Sequence, residues 1–231
     1  MSPIGADRTW RFSLATRIAL GFLAVFMFGI SALLFGLPYA YSADRSGEWM
    51  VLLTGVVTTG FGLFATFGLV AAVRTRVTLG AATLEARVIA GHSRLLVPHF
   101  REVRLPLSDI RAVERRSEIF TTLGFSTMRD ALSIVTAEGE RIGLFSNTLG
   151  NASTLPLDEV ASAIAAASGI AVTDDGTVRA KGSGLYGAAS SSWSEAPLDD
   201  TSARKARRAA IATVQFCAVL LLLTLVLRAC L

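Results

Sequence analysis

Residues 18–41 read IALGFLAVFMFGISALLFGLPYAY, and residues 49–73 read WMVLLTGVVTTGFGLFATFGLVAAV. Neither stretch holds an Asp, Glu, Lys, Arg or His. Crossing the hydrocarbon core of a bilayer takes roughly 20 apolar residues, each rising about 1.5 Å along a helix. Both stretches meet that length. A helix of a soluble protein keeps a polar face at this length, and neither stretch has one. A third uncharged window, Ala209–Leu227, lies near the other end of the sequence. The composition of the whole 231-residue chain agrees: 52% of residues are hydrophobic and 17% charged, against about 25% charged in ordinary soluble domains.

The basic residues set an expected orientation, because short cytoplasmic loops collect Arg and Lys. Arg8, Arg11 and Arg17 precede the first window, Arg74 and Arg76 follow the second, and Arg204, Lys205, Arg207 and Arg208 precede the third. The short loop between the first two windows holds only Arg45, beside Asp44 and Glu48. All basic clusters then share the cytoplasmic side. The first window exceeds the usual signal-peptide core of about 7–15 residues, so it reads as an uncleaved helix. The organisation is a cytoplasmic tail at 1–17, a span at 18–37 ended by Pro38, and an external loop at 38–48. A second span at 49–73, a cytoplasmic domain at 75–172, a linker at 173–208 and a third span at 209–228 follow. Arg outnumbers Lys twenty to two among abundant Ala and Gly, the composition of a GC-rich bacterial genome. The location is therefore a bacterial cytoplasmic membrane. No intramembrane charge marks an ion path or proton relay in the first two windows, which argues against a transporter, pump or channel.

The region 75–172 reads as β-rich. Leu84, Ala86, Val88 and Ala90 alternate with Glu85, Arg87 and Ile89, as in a half-buried strand. Gly91-His92 predicts a turn into Arg94–Val97, and Val103 and Leu105 continue the alternation. Ile110–Ile119 fits a strand or a helical turn. Ala131–Ala137 and Glu140–Phe145 flank Glu138-Gly139, a two-residue hairpin signal. A helix follows, with Pro156 at its start, Asp158 and Glu159 in its first turn and Gly169 at its stop. Leu157, Val160, Ile164 and Ala167 form its apolar face. Beyond 173 the periodicity is lost, and Asp174–Gly176, Gly182–Gly184 and Ser190–Ser192 have linker composition.

The segment Leu105-Pro106-Leu107-Ser108-Asp109-Ile110-Arg111-Ala112-Val113-Glu114 resembles a "hydrophobic-Pro-Leu-x-Asp/Glu-Ile-x-x-Val" stretch of bacterial membrane proteins with pleckstrin-homology-like (PH-like) domains. Several strands followed by one amphipathic helix is the element order of that family. The resemblance covers about 95 residues of the β-rich region and does not extend to the third span or its linker. It implies a non-enzymatic binding module whose partners are lipid, protein or further copies of itself.

Catalytic and cofactor signals are weak. Gly182–Gly187 fits GxGxxG but sits in a Ser/Gly-rich stretch with no strand–turn–helix around it. His92 and His99 have no cysteine near them, and Cys217 and Cys230 both fall in the third window, where cysteine packs as a small hydrophobe. No catalytic residue, cofactor or metal site is assigned, and a net charge of +4 does not call for nucleic acid. The remaining candidate is a set of seven arginines, Arg87, Arg94, Arg101, Arg104, Arg111, Arg115 and Arg116, opposed within that stretch by Glu102, Asp109 and Glu114. Two functions follow as expectations. One is a membrane-anchored scaffold that binds a protein partner or self-associates. The other is a sensor whose arginine face contacts anionic phospholipid of the inner leaflet.

Overall fold

The computed structural model describes residues 7–40, 48–122, 125–148, 155–180, 196–212 and 215. The architecture is mixed α+β. In chain order the elements are β1 (Arg8–Arg11), α1 (Leu14–Ala40), α2 (Glu48–Arg74), β2 (Arg76–Leu79), β3 (Thr83–His92), β4 (Pro98–Pro106), β5 (Ile110–Thr122), β6 (Phe125–Thr136), β7 (Arg141–Thr148), α3 (Leu157–Ser168) and β8 (Val172–Arg179). A further helix, α4, covers residues 200–212.

Two helices, over Leu14–Gly36 and Val51–Arg74, are long and apolar enough to cross a membrane. Only 11% and 22% of their most apolar windows is buried inside the protein, so the described chain leaves most of these helices uncovered. They pack on each other along small residues. A Cβ placed on Gly55 would stand 3.1 Å from the Phe35 ring, and one on Gly62 would stand 3.1 Å from the Phe28 ring. Glycine at these two places therefore lets the opposing phenyl groups close on the backbone. The Ser31 and Thr58 hydroxyls meet across the helices at 2.7 Å. Thr66 donates to Gly62 O of its own helix at 2.8 Å. Pro38 does not end α1, which runs two residues further; the missing amide costs one bond to the preceding turn, close to an end where helix boundaries shift by one or two residues.

Below the helices lie two four-stranded sheets, ordered β1-β2-β3-β4 and β7-β6-β5-β8. Neighbours are antiparallel except β5 and β8, which run parallel. One apolar core joins the layers: Val77, Leu84, Val88, Val113, Leu132, Ile134 and Leu144 from the sheets, and Leu157, Val160, Ala161, Ile164 and Ala165 from α3. Gly169 ends α3 at φ 70°, the left-handed position that glycine adopts without steric cost. Ala167, expected on the apolar face, is exposed, and Ala161 and Ala165 take its place.

The β domain is larger than the 75–172 expected. Arg8–Arg11 pairs with Arg76–Leu79, so the tail before α1 adds a strand to the sheet that begins after α2. Trp10, 7% exposed, fixes this strand by donating from Nε1 to Glu159 Oε1 of α3 at 3.0 Å. Both ends of the helical pair are thus tied to one domain. At the far end, the linker expected over 173–208 holds β8 and α4. Gly176 at φ 69° takes up the register shift against Arg115–Ser117. Asp199 Oδ2 accepts from the Thr201 and Ser202 amides, each at 3.1 Å, capping α4. The Ser202 hydroxyl first, and then these amides, hold the Asp199 carboxyl below its ordinary range. Leu198, Ala206 and Ala210 then pack against Ile119 and Met128. Most of the expected third span (209–228), Cys217, Cys230 and the GxGxxG stretch lie outside the described residues, as does 41–47 of the loop expected outside.

Candidate functional site

On the outer face of the first sheet, pairing builds rows across the strands. Arg11, Arg76, Arg87 and Glu102 form one row; Thr9, Thr78, Glu85 and Arg104 form the next. A shallow groove of about 240 Å³ runs over them. Arg87 reaches Glu102 at 3.6 Å, and Arg104 reaches Glu85 at 3.1 Å. Beyond the rows Ile89 stands opposite Phe100, and the Phe100 ring holds two guanidinium groups, Arg87 at 5.4 Å and Arg74 of α2 at 5.8 Å. These distances suit cation–π attraction.

The seven arginines expected as one face are dispersed. Arg87 and Arg104 share the outer face. Arg101 pairs with Glu140 in the β6–β7 turn at 2.8 Å. Arg115 points to α3 and pairs with Asp158. Arg116 is 1% exposed and binds Glu118, itself 0% exposed, through Nε at 3.0 Å and Nη2 at 2.5 Å. Only Arg94 and Arg111, both exposed, form no ion pair among the described residues. Four of the acids involved, Glu85, Glu118, Glu140 and Asp158, come from outside the Arg87–Arg116 stretch. Charge along that stretch therefore overstates the positive potential of the folded surface.

The second sheet concentrates charge inside. Beside Arg116–Glu118, Arg141 donates from Nε to Glu114 Oε2 at 2.8 Å. This bond holds the Arg141 guanidinium above its ordinary value. Arg129, opposite Glu118 in register, lies over the Phe120 ring at 5.7 Å, and burial lowers its pKa. Its Nε and Nη1 have no hydrogen-bond partner. Burial, and then the Glu114 charge, push the Asp175 carboxyl up.

No group of three His, Cys, Asp or Glu able to hold a metal occurs among the described residues. His92 and His99 fall on different strands, in register with Pro98 and Gly91, and both are exposed. The turn expected at Gly91-His92 lies further on, at residues 93–97, because β3 bulges between Ile89 and Gly91 and continues. Its tip carries Leu95, Leu96 and Val97, which are 80%, 42% and 40% exposed. The expected segment after the turn, Arg94–Val97, is thus the turn itself; its signal in the sequence is an apolar run between two alternating strands, where a turn is ordinarily polar. Comparison of the chain with models of protein families, with curated proteins and with solved structures finds no match.

Proposed function

We propose that this chain is a membrane-anchored interaction protein: α1 and α2 cross a bacterial cytoplasmic membrane and carry a cytoplasmic PH-like β domain that binds a protein partner or a second copy. The observation that carries the reading is the β1–β2 pairing. It ties both cytoplasmic ends of the helical pair into one sheet, so the domain is mounted on the membrane instead of hanging from a tether. Arg8, Arg11, Arg17, Arg74 and Arg76 gather where the helices meet the sheet, in keeping with positive-inside orientation. The run β2 to β7 followed by α3 is the element order that the PH-like resemblance implies, and β1 before it and β8 after it are additions to that order. Glu140 and Glu85 neutralise Arg101 and Arg104 on the domain surface, which favours a protein surface as the target over nonspecific anion binding.

The test is purification of the full chain in mild detergent, with mass measured by light scattering and by chemical cross-linking in membranes. A homo-oligomer or a stoichiometric co-purifying protein is expected. A monomer with no cross-linked species in either setting contradicts the reading. The second function, an inner-leaflet sensor of anionic lipid, is supported by the Arg11–Arg76–Arg87 row beside the end of α2. It requires that reconstituted protein enrich anionic lipid around itself, and that this enrichment fall with salt as the Debye length shrinks from about 10 Å at 0.1 M to about 3 Å at 1 M.

A further inference from the structure

We infer that the β3–β4 hairpin tip, Arg94-Leu95-Leu96-Val97, dips into the same bilayer that α1 and α2 cross, as a second, shallow point of membrane attachment. The inference rests on the membrane anchoring proposed above.

Direction comes from register. β2 leaves α2 at Arg76, and Arg76 stands opposite Arg87 of β3. Because the strands are antiparallel, β3 runs from Leu84 back toward α2 and does not stop at Arg87. It continues five residues to His92, about 16 Å at 3.3 Å per residue. β4 accompanies it from Pro98. The hairpin thus overshoots the start of the sheet on the side where the helices stand. The Arg74–Phe100 contact at 5.8 Å holds β4 beside the end of α2. The tip projects further still.

Chemistry supplies the occupant. Leu95 is 80% exposed, and Leu96 and Val97 are about as exposed as many apolar side chains on α1 and α2, which offer the same kind of surface. Leu96 also holds φ 61°, a left-handed position that glycine or asparagine fills at lower cost. A turn selected for solubility alone would place one of those there. The turn is nevertheless closed: Leu96 N donates to Ser93 O and Ser93 N to Val97 O, each at 2.9 Å, so the apolar side chains are held outward on a fixed loop. Arg94 adds a cation with no ion pair among the described residues, unlike Arg87, Arg101 and Arg104. A guanidinium at the rim and leucines at the point match a phosphate headgroup layer above acyl chains.

The test uses the full chain with Cys217 and Cys230 replaced by serine, reconstituted in anionic vesicles. A single cysteine at Leu95, Val56 or Ala81 carries an environment-sensitive fluorophore. Val56 lies on α2, and Ala81 lies in the exposed β2–β3 turn, at the opposite end of β3 from the tip. The labels at 95 and 56 are expected to shift to the blue and to lose intensity in vesicles with brominated acyl chains, while the label at 81 does neither. A quenched label at 56 with 95 behaving like 81 overturns the inference and leaves the anchor intact. Shielding of 95 from an aqueous quencher without quenching by brominated lipid assigns the tip to a protein contact and also overturns it. An unquenched label at 56 removes the anchor, and the inference with it.

Discussion

In the first sheet, Arg104 and Glu85 meet in solvent, with side chains 76% and 48% exposed; in the second, Arg116 and Glu118 meet at 1% and 0%. The residue types are the same and the surroundings are opposite. An exposed pair loses little if broken, because water replaces each partner. A buried pair cannot be half removed without leaving a charge in low dielectric. The Arg104–Glu85 pair can therefore change at little cost, while the Arg116–Glu118 pair is part of the internal structure.

Substitution of Glu118 by Ala has the largest expected effect, a loss of about 3–5 kcal/mol, because the Arg116 guanidinium stays buried. Thermal unfolding of the detergent-solubilised full chain measures it, and a melt unchanged from wild type would erase the distinction between the sheets. Next comes Trp10→Ala. It removes a buried indole and its bond to Glu159, and with them the hold of β1 on α3. The expected loss is about 3 kcal/mol, with faster proteolysis after Arg8 or Arg11. Reversal of the exposed pair, Arg104→Glu with Glu85→Arg, should change stability by less than about 1 kcal/mol. A larger loss would place that pair among the structural ones.

The smallest effect belongs to Asp175. Its folded-state pKa is raised, so the folded chain keeps this proton to higher pH than the unfolded chain does. Stability from this group falls as pH rises through the interval between the ordinary carboxylate value and the raised one. Asp175→Asn should flatten that slope and stabilise slightly at neutral pH; an unchanged slope would mean that burial does not act on this carboxyl.

These comparisons also separate what the sequence could reveal from what it could not. The two apolar helices, the β6–β7 hairpin and the Gly169 stop rest on signals local in the chain, and all three are legible, although the hairpin loop spans residues 137–140 and not the two residues expected. β1 is not, because Arg-Thr-Trp-Arg is four residues long and its partner strand lies beyond the whole helical pair. β8 is masked by Asp174-Asp175-Gly176, a turn composition that a bulge absorbs in the fold. The arginine set failed as one surface for the same reason. Alternation along β5 sends Arg115 and Arg116 to opposite faces, and pairing brings Glu140 to Arg101 and Glu85 to Arg104 from outside the stretch. A fragment of residues 75–172 would lack β1 and nearly all of β8, so the full chain is the proper object for every measurement here.

The central claim is that the tail and the β domain share one side of a membrane that α1 and α2 cross. Single cysteines at Thr9, Ser46 and Ala82, in a background without Cys217 and Cys230, are labelled with a membrane-impermeant thiol reagent in right-side-out and inverted vesicles. The account predicts that 9 and 82 react only in inverted vesicles and 46 only in right-side-out ones. Labelling of 46 from the same side as 9, or of 9 and 82 from opposite sides, would contradict it.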